Sequence, residues 1–279
     1  MNGDGTASTV SVNGVLLRCQ LLGSGAIPVV MVHGGFSSRR TWDFVAPKLA
    51  ETRRVILYDR RGHSESGPPT NGGTVRAHVT DLAALIGQLD LAPAWVIGSS
   101  YGAQIALRLA AAEPDLLRGV VAHEPGLLLS LIVDAGGLAP VVDELGRKED
   151  VVANLIVRGD HESAARELVE TVLGPESWPL LPAELRRTYV QNAPAVLAEL
   201  SDPERNDFDL ASLAGFYRPV LLTKGAESPP FFAAVVERFA AALPNAEVRT
   251  FPGAGHAPHM THPDVYADAV GAYLRTHTK

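Results

Sequence analysis

Short apolar runs recur along the chain, separated by stretches long enough for helices. Pro28–His33, Arg54–Tyr58, Ala94–Gly98, Leu117–His123, Pro219–Lys224 and Ala246–Phe251 read this way, and most lack an alternating polar face. A strand that is apolar on both sides is covered on both sides, so these runs predict parallel strands flanked by helices, an α/β class. Two earlier runs, Thr9–Val12 and Val15–Leu21, flank Asn13-Gly14, a pair suited to the positive φ of a tight hairpin. They predict an antiparallel ribbon ahead of the crossover units. Helical signals lie between the strands, in Ala83, Ala84, Ile86, Gly87 and Leu89 after Asp81 and in the Ala-rich stretch Tyr101–Glu113.

The alternation stops between His123 and Pro219, where about ninety residues pass without a strand pattern. Helix-like spacing continues there, in Ala165, Leu168, Val169 and Val172 after Asp160 and in Leu197 and Leu200 after Pro194. Pro175, Pro179, Pro182 and Pro194 punctuate the block, which predicts several short helices with bends. The expected organisation is a core from residues 1–125 and 217–279 with a helical insertion over 126–216.

With 279 residues, 46% of them hydrophobic, the chain can bury a core unaided. A formal charge of −7 without a basic run argues against a nucleic-acid partner. The single Cys19 can form neither an internal disulfide nor a cysteine zinc cage, so a reducing compartment suffices. The first residues lack the charged start and apolar stretch of a secretory signal, and Leu127–Val133 is far too short to span a bilayer. A cytoplasmic, non-membrane protein is expected; composition is silent on oligomeric state.

Candidate chemistry starts at Gly98-Ser99-Ser100-Tyr101-Gly102, which fits G-x-S-x-G at a strand-to-helix junction. The flanking glycines permit a turn too crowded for a Cβ, which would present Ser100 bare, and the following helix aims its N-terminal amides at the site. A plain Gly/Ser turn is the alternative. His33-Gly34-Gly35-Phe36 follows an apolar strand and could turn a backbone N–H inward, so Gly35, or its neighbour Phe36, is the expected oxyanion donor opposite the Tyr101 amide. Gly255-His256 lies on a loop after the last strand, where an imidazole can reach Ser100 as general base. His259 and His262 are close by, so a metal site or surface histidines compete. His161-Glu162 does not continue as HExxH, however, and no carboxylate accompanies the three histidines. No metal and no cofactor are expected.

Taken in order, His33-Gly34-Gly35, Asp59-Arg60-Arg61-Gly62-His63-Ser64, Gly98-x-Ser100-x-Gly102 and Gly255-His256 resemble the α/β-hydrolase superfamily nearly end to end. The resemblance implies a mostly parallel eight-stranded sheet with helices on both faces, a helical cap inserted after strand 6, and a Ser-His-acid triad. It also implies that Asp59 and Arg60 organise loops beside the site rather than react. The chain departs from the superfamily pattern at the acid, because Gly225-Ala226-Glu227-Ser228 puts a serine where an aspartate is usual. A minority arrangement takes the acid from the end of the preceding strand, here His123-Glu124-Pro125. The Ser100-to-Glu124 spacing and Ser228-Pro229-Pro230-Phe231-Phe232 are similar to the fungal zearalenone-type lactone hydrolases. Glu124 is therefore the expected acid and Glu227 the alternative, with a salt-bridged strand-end carboxylate as the bland reading of Glu124.

These readings predict a serine hydrolase of an ester or lactone of a medium-sized hydrophobic or aromatic small molecule, with Phe36, Leu129, Trp178 and Tyr189 as candidate substrate contacts. The same triad could instead serve C–C bond hydrolysis, acyl transfer or perhydrolysis, and a non-catalytic ligand receptor on this scaffold is a further alternative.

Overall fold

Each of the eight apolar runs is a strand in the computed structural model, which describes residues 5–68, 72–134 and 136–277. β1 (Thr6–Val12) and β2 (Val15–Leu22) form the antiparallel hairpin, with Val12 opposite Val15 and with Asn13 at φ 43° and Gly14 at φ 77°. These two positive φ values are what a two-residue hairpin turn demands and what Asn-Gly tolerates. β3 (Pro28–Val32), β4 (Arg54–Tyr58), β5 (Ala94–Ser99), β6 (Leu117–His123), β7 (Val220–Gly225) and β8 (Ala246–Phe251) complete one sheet in the order β1-β2-β4-β3-β5-β6-β7-β8. β2 runs antiparallel to β1 and β4, and all other pairs are parallel.

Burial on both faces explains the continuous apolar runs. Val30, Val32, Ile56, Val96, Val120 and Leu222 face a layer containing α2 (Val75–Gln88), α3 (Tyr101–Ala112) and α7 (Pro230–Ala242), through Leu82, Leu85, Ile105, Leu109, Val235 and Phe239. Their neighbours Val29, Met31, Val55, Leu57, Ile97 and Val121 face α1 (Ala46–Ala50) and α9 (Pro263–Thr276), through Leu49, Tyr266, Val270 and Leu274. The parallel register aligns the carboxyl ends, pairing Val32 with Gly98, Ser99 with His123, and His123 with Thr223. Loops leaving those ends share one edge, the edge at which open α/β sheets bind ligands. α8 (Pro258–Thr261) lies on that edge, between β8 and α9.

Between β6 and β7 the chain forms α4 (Ala139–Val157), α5 (His161–Leu173) and α6 (Ala183–Leu200) with short 3-10 turns. Asp160 caps α5, accepting the Ser163 N–H at 3.2 Å. The expectation of short, bent helices is corrected here, since α4 has 19 residues and α6 has 18, with Pro194 inside it. Pro175, Pro179 and Pro182 do fall in the α5–α6 connection. Pro194 is tolerated in mid-helix because neighbours on both sides are packed: Ala193 and Val196 are buried with Val152, Ile156, Ala165, Val169 and Trp178 in a separate small core that also takes Phe36. That packing outweighs one lost backbone bond and local ring crowding.

Candidate active site

Ser100 stands between β5 and α3 with φ 54° and ψ −122°, a backbone conformation strained for any residue with a side chain. The strain is held by crowding on either side. A β-carbon on Gly98 would overlap the Gly102 carbonyl oxygen, and one on Gly102 would overlap the Val32 carbonyl oxygen. The Ser100 N–H donates to the His123 carbonyl at 2.9 Å, while its own carbonyl accepts from Ala103 and Gln104 at 2.9 and 3.1 Å. The first amides of α3 have no partner within the helix, so the Tyr101 N–H is available beside the Ser100 side chain.

His256 arrives from the loop after β8. Its Nδ1 lies 2.5 Å from Glu124 Oε2, and the Gly225 N–H donates to Glu124 Oε1 at 2.8 Å. Glu124 is fully buried and sits at φ 41°, with its own N–H donating to the Thr223 carbonyl at 3.0 Å. Burial alone would raise the Glu124 carboxyl, but the His256 bond, aided by the charges of His123 and His256, holds it down at about 2. It is a carboxylate at neutral pH and can hold His256 in the tautomer whose Nε2 is unprotonated. The Phe232 ring stacks on His256 at 4.0 Å between centroids and 12° between planes, fixing the imidazole plane. Glu227 lines the same cavity, but its backbone N–H is tied to the Ala254 carbonyl at 2.9 Å, and the carboxylate bonded to His256 is that of Glu124.

The loop after β3 passes directly over Ser100. A β-carbon on Gly34 would stand 3.3 Å from Ser100 Cβ, a tight contact that a side chain could hold only if the Ser100 turn gave way by a few tenths of an ångström. His33 fixes the loop from below: its Nδ1–H donates to the Gly34 carbonyl at 2.8 Å and its Nε2 accepts the Arg60 N–H at 3.0 Å. Gly35 and Phe36 follow, the latter at φ 55°. Asp59 accepts the Arg39 N–H at 2.8 Å and the Arg39 guanidinium as well, and thereby organises the neighbouring turn.

Arg60 joins this loop to the inserted helices. Its buried guanidinium donates to the carbonyls of His33 and Gly34 at 3.1 and 3.0 Å, to His63 Nε2 at 3.2 Å and to Glu199 Oε1 at 2.5 Å. Glu199 comes from α6, 139 residues away in sequence. Burial opposes its charge, but Arg60, His78 and His63 together hold the carboxyl well below the usual range. Nothing in the local sequence around Glu199 separates it from an ordinary exposed helix glutamate.

Ser100, Tyr101, Gly35, Phe36 and His256 open onto one cavity of about 690 Å³, roofed by α5, α6 and their connection. Tyr189 lines it, as do Leu168, Val172 and Leu181. Trp178 and Leu129 do not. Trp178 is 2% exposed and turned into the small core beside Ala165 and Val169, and Leu129 packs into the layer of α2, α3 and α7. Apolar character suited both to the cavity, but burial against neighbours claimed them. Phe44 and Leu180, 66% and 83% exposed, line the cavity from opposite parts of the chain.

Among the described residues, one group could offer three metal ligands, His123, Glu124 and His256, whose ligand atoms lie within 4.8 Å of one another. The donor set fits a metal poorly: His123 Nε2 donates to the His256 carbonyl at 3.1 Å, and a protonated nitrogen has no lone pair to give. His259 is bonded to Thr41 Oγ1 at 3.0 Å and His262 to Thr261 Oγ1 at 2.9 Å, so neither joins the group. No described helix is long and apolar enough to cross a membrane.

The chain is 28% identical over 273 residues to the dihydrolipoyllysine-residue acetyltransferase component of the acetoin cleaving system of Pseudomonas putida, covering 95% of this chain and 68% of that one. It is 31% identical over 162 residues to the lipase LipV of Mycobacterium tuberculosis, covering 58% and 57%. The crystal structure of an alpha/beta hydrolase from Sphaerobacter thermophilus superposes with a TM-score of 0.77 at 26% identity, over 96% of this chain and all of that one. The profile of the alpha/beta hydrolase fold matches residues 27–263, so the chain belongs to the α/β-hydrolase family.

Proposed function

We propose that this α/β hydrolase cleaves a carboxylic ester or lactone through a Ser100-His256-Glu124 triad. The observation that carries the reading is the 2.5 Å contact of His256 Nδ1 with a buried carboxylate, on the same cavity as a serine held at φ 54°. In the proposed reaction Nε2 of His256 takes the Ser100 hydroxyl proton as Oγ attacks the carbonyl carbon. The imidazolium is stabilised by Glu124, and the oxyanion accepts hydrogen bonds from the Tyr101 and Gly35 amides. As the tetrahedral species collapses, the proton passes from His256 to the departing alkoxide and an acyl-Ser100 ester remains. Water then gives a proton to His256 and attacks that ester, and the acid product leaves as Ser100 recovers its proton.

The cavity's Leu, Val and aromatic lining supports a medium-sized hydrophobic acyl or alcohol part. On this reading residues 126–216 act as a cap, with Phe36 and Tyr189 against substrate. A fluorophosphonate probe tests the proposal. A single adduct on intact protein, mapped to Ser100 and lost in Ser100→Ala, is expected; a protein that gains no mass is not a serine hydrolase.

A further inference from the structure

The cavity is largely apolar, with hydroxyl-bearing and a few charged side chains on its wall, and one of the charged ones stands beside the proposed oxyanion loop. Glu199 is 3% exposed and lines the cavity. Its two oxygens are used unequally. Oε1 takes the Arg60 guanidinium at 2.5 Å and lies 3.2 Å from His78 Nε2 and 3.6 Å from His63 Nε2. Oε2 has no hydrogen-bond donor among the described residues, and it lies 3.8 Å from where a β-carbon on Gly35 would stand. A carboxylate oxygen without a protein donor on a cavity wall is an acceptor that a bound ligand can engage with an O–H or N–H. Arg60 supplies the compensating charge, which keeps the carboxylate from repelling a nearby oxyanion outright.

We infer that Glu199 Oε2 is a specificity determinant that accepts a hydrogen bond from an O–H or N–H carried near the scissile carbonyl, so that the acyl groups favoured are α-hydroxy or α-acylamino acids. This inference rests on the serine-hydrolase reading, because it is Gly35 in the oxyanion role that makes Oε2, 3.8 Å from a Gly35 β-carbon position, a neighbour of the loop that would hold the carbonyl. Glu149 reinforces the selection by difference. It is paired with Arg205 through two bonds of 2.6 and 2.7 Å on the cavity wall, which leaves that guanidinium spoken for and gives a substrate carboxylate no ready cation.

The test uses the full chain and two matched pairs of 4-nitrophenyl esters: mandelate against phenylacetate, and N-acetylphenylalanine against its N-methylated analogue, each corrected for its hydroxide-catalysed rate. The wild type should favour the donor-bearing member by about tenfold or more in kcat/KM, as a charged acceptor in a dry site would give. In Glu199→Gln the amide oxygen stays on Arg60 and the NH2 group takes the place of Oε2, so the preference should vanish. The ratio within one preparation does not depend on how much variant is folded. No preference in the wild type, or an equal one in Glu199→Gln, overturns the inference while Ser100 still takes the fluorophosphonate. Loss of that labelling in the wild type would instead sink the hydrolase reading and this one with it.

Discussion

His123 Nε2 donates to the carbonyl of His256 at 3.1 Å, so the residue before the proposed acid grips the backbone of the proposed base. Its Nδ1 accepts from Thr223 Oγ1 at 2.9 Å, which sets the tautomer. Glu124, next in the chain, holds the His256 side chain, and two consecutive residues at the end of β6 thus fix both halves of one loop residue. Replacing His123 by Ala should free the loop and lower kcat on the order of tenfold or more, since small misplacements of reacting groups are expensive. KM should barely move. Steady-state kinetics on folded protein decide, and a kcat within twofold of wild type would assign His123 to packing alone.

Ser100→Ala and His256→Ala should each abolish turnover, by on the order of 10⁶ where the triad acts as a unit. Glu124→Gln leaves nucleophile and amides in place, so a smaller loss, on the order of 10⁴, is expected. Glu227→Gln should stay within a few fold of wild type. The comparison of the two glutamine variants is the decisive measurement, and the reverse ranking would move the acid to the loop after β7.

The central strands were legible because each is a dense apolar run, whereas the edge strands β1 and β8 are more polar; G-x-S-x-G was legible because its sterics are local, as the blocked β-carbons of Gly98 and Gly102 show. Strand-end position alone does not separate Glu124 from Glu227, and the preference for Glu124 comes from its resemblance to the minority acid placement and from the rigid Pro125 beside it. Glu199 was illegible: it reaches Arg60 across 139 residues, a contact set by how α6 lies over the sheet edge and not by any local signal. The length of α6 was hidden for the opposite reason, since Pro194 gives a strong local stop signal that packing of Ala193 and Val196 overrides.

Gly102→Ala should damage the fold more than Ser100→Ala does. The added methyl would overlap the Val32 carbonyl oxygen and crowd the His33 carbonyl at 2.6 Å, and both belong to backbone that cannot swing away. A loss of stability of about 1–3 kcal/mol or more is expected, together with displacement of the Gly34–Gly35 loop. Urea unfolding of the two variants side by side checks this, and equal midpoints would show that the turn is less confined than its geometry implies.

Stability should fall as the pH is lowered, in two overlapping stages. Burial holds His123 at about 4 and His63 at about 3, below the ordinary 6.5, so the unfolded chain binds protons that the native one refuses. That stability is fully present above pH 6.5 and is lost on descending towards 4 and 3. Glu124, ordinarily at 4.5, titrates at about 2 when folded, so its share is present above 4.5 and disappears as the pH falls towards 2. Urea midpoints should therefore hold level from pH 7.5 to about 6.5 and decline from there to pH 3. Glu124→Gln should flatten only the portion below about 4.5, and an unchanged slope there would mean that the carboxylate is not held by His256 in solution.

Trp178 and Tyr189 should separate packing from recognition. Both are aromatic residues of the inserted helical segment and both look equally suited to an apolar ligand, but Trp178 is buried in the small core with Ala165, Val169 and Phe36 and does not line the cavity, whereas Tyr189 packs against that core with one side and lines the cavity. Removing a buried Trp side chain leaves a void and costs about 3–5 kcal/mol in protein cores, so Trp178→Ala should lose stability on that scale. At a temperature where it remains folded, its preference among esters should match that of the wild type, because no ligand atom loses a contact. Tyr189→Ala should instead raise the KM for bulky aromatic esters by about tenfold, the worth of the apolar area a ring contributes, with a smaller loss of stability than Trp178→Ala because the half-buried ring also packs against that core. Thermal melts and a series of 4-nitrophenyl esters from acetate to phenylpropanoate give both readouts. If Trp178→Ala shifted the ester series as far as Tyr189→Ala at equal folded fraction, the cavity in solution would extend behind the Trp178 ring and the small core would be part of the binding site.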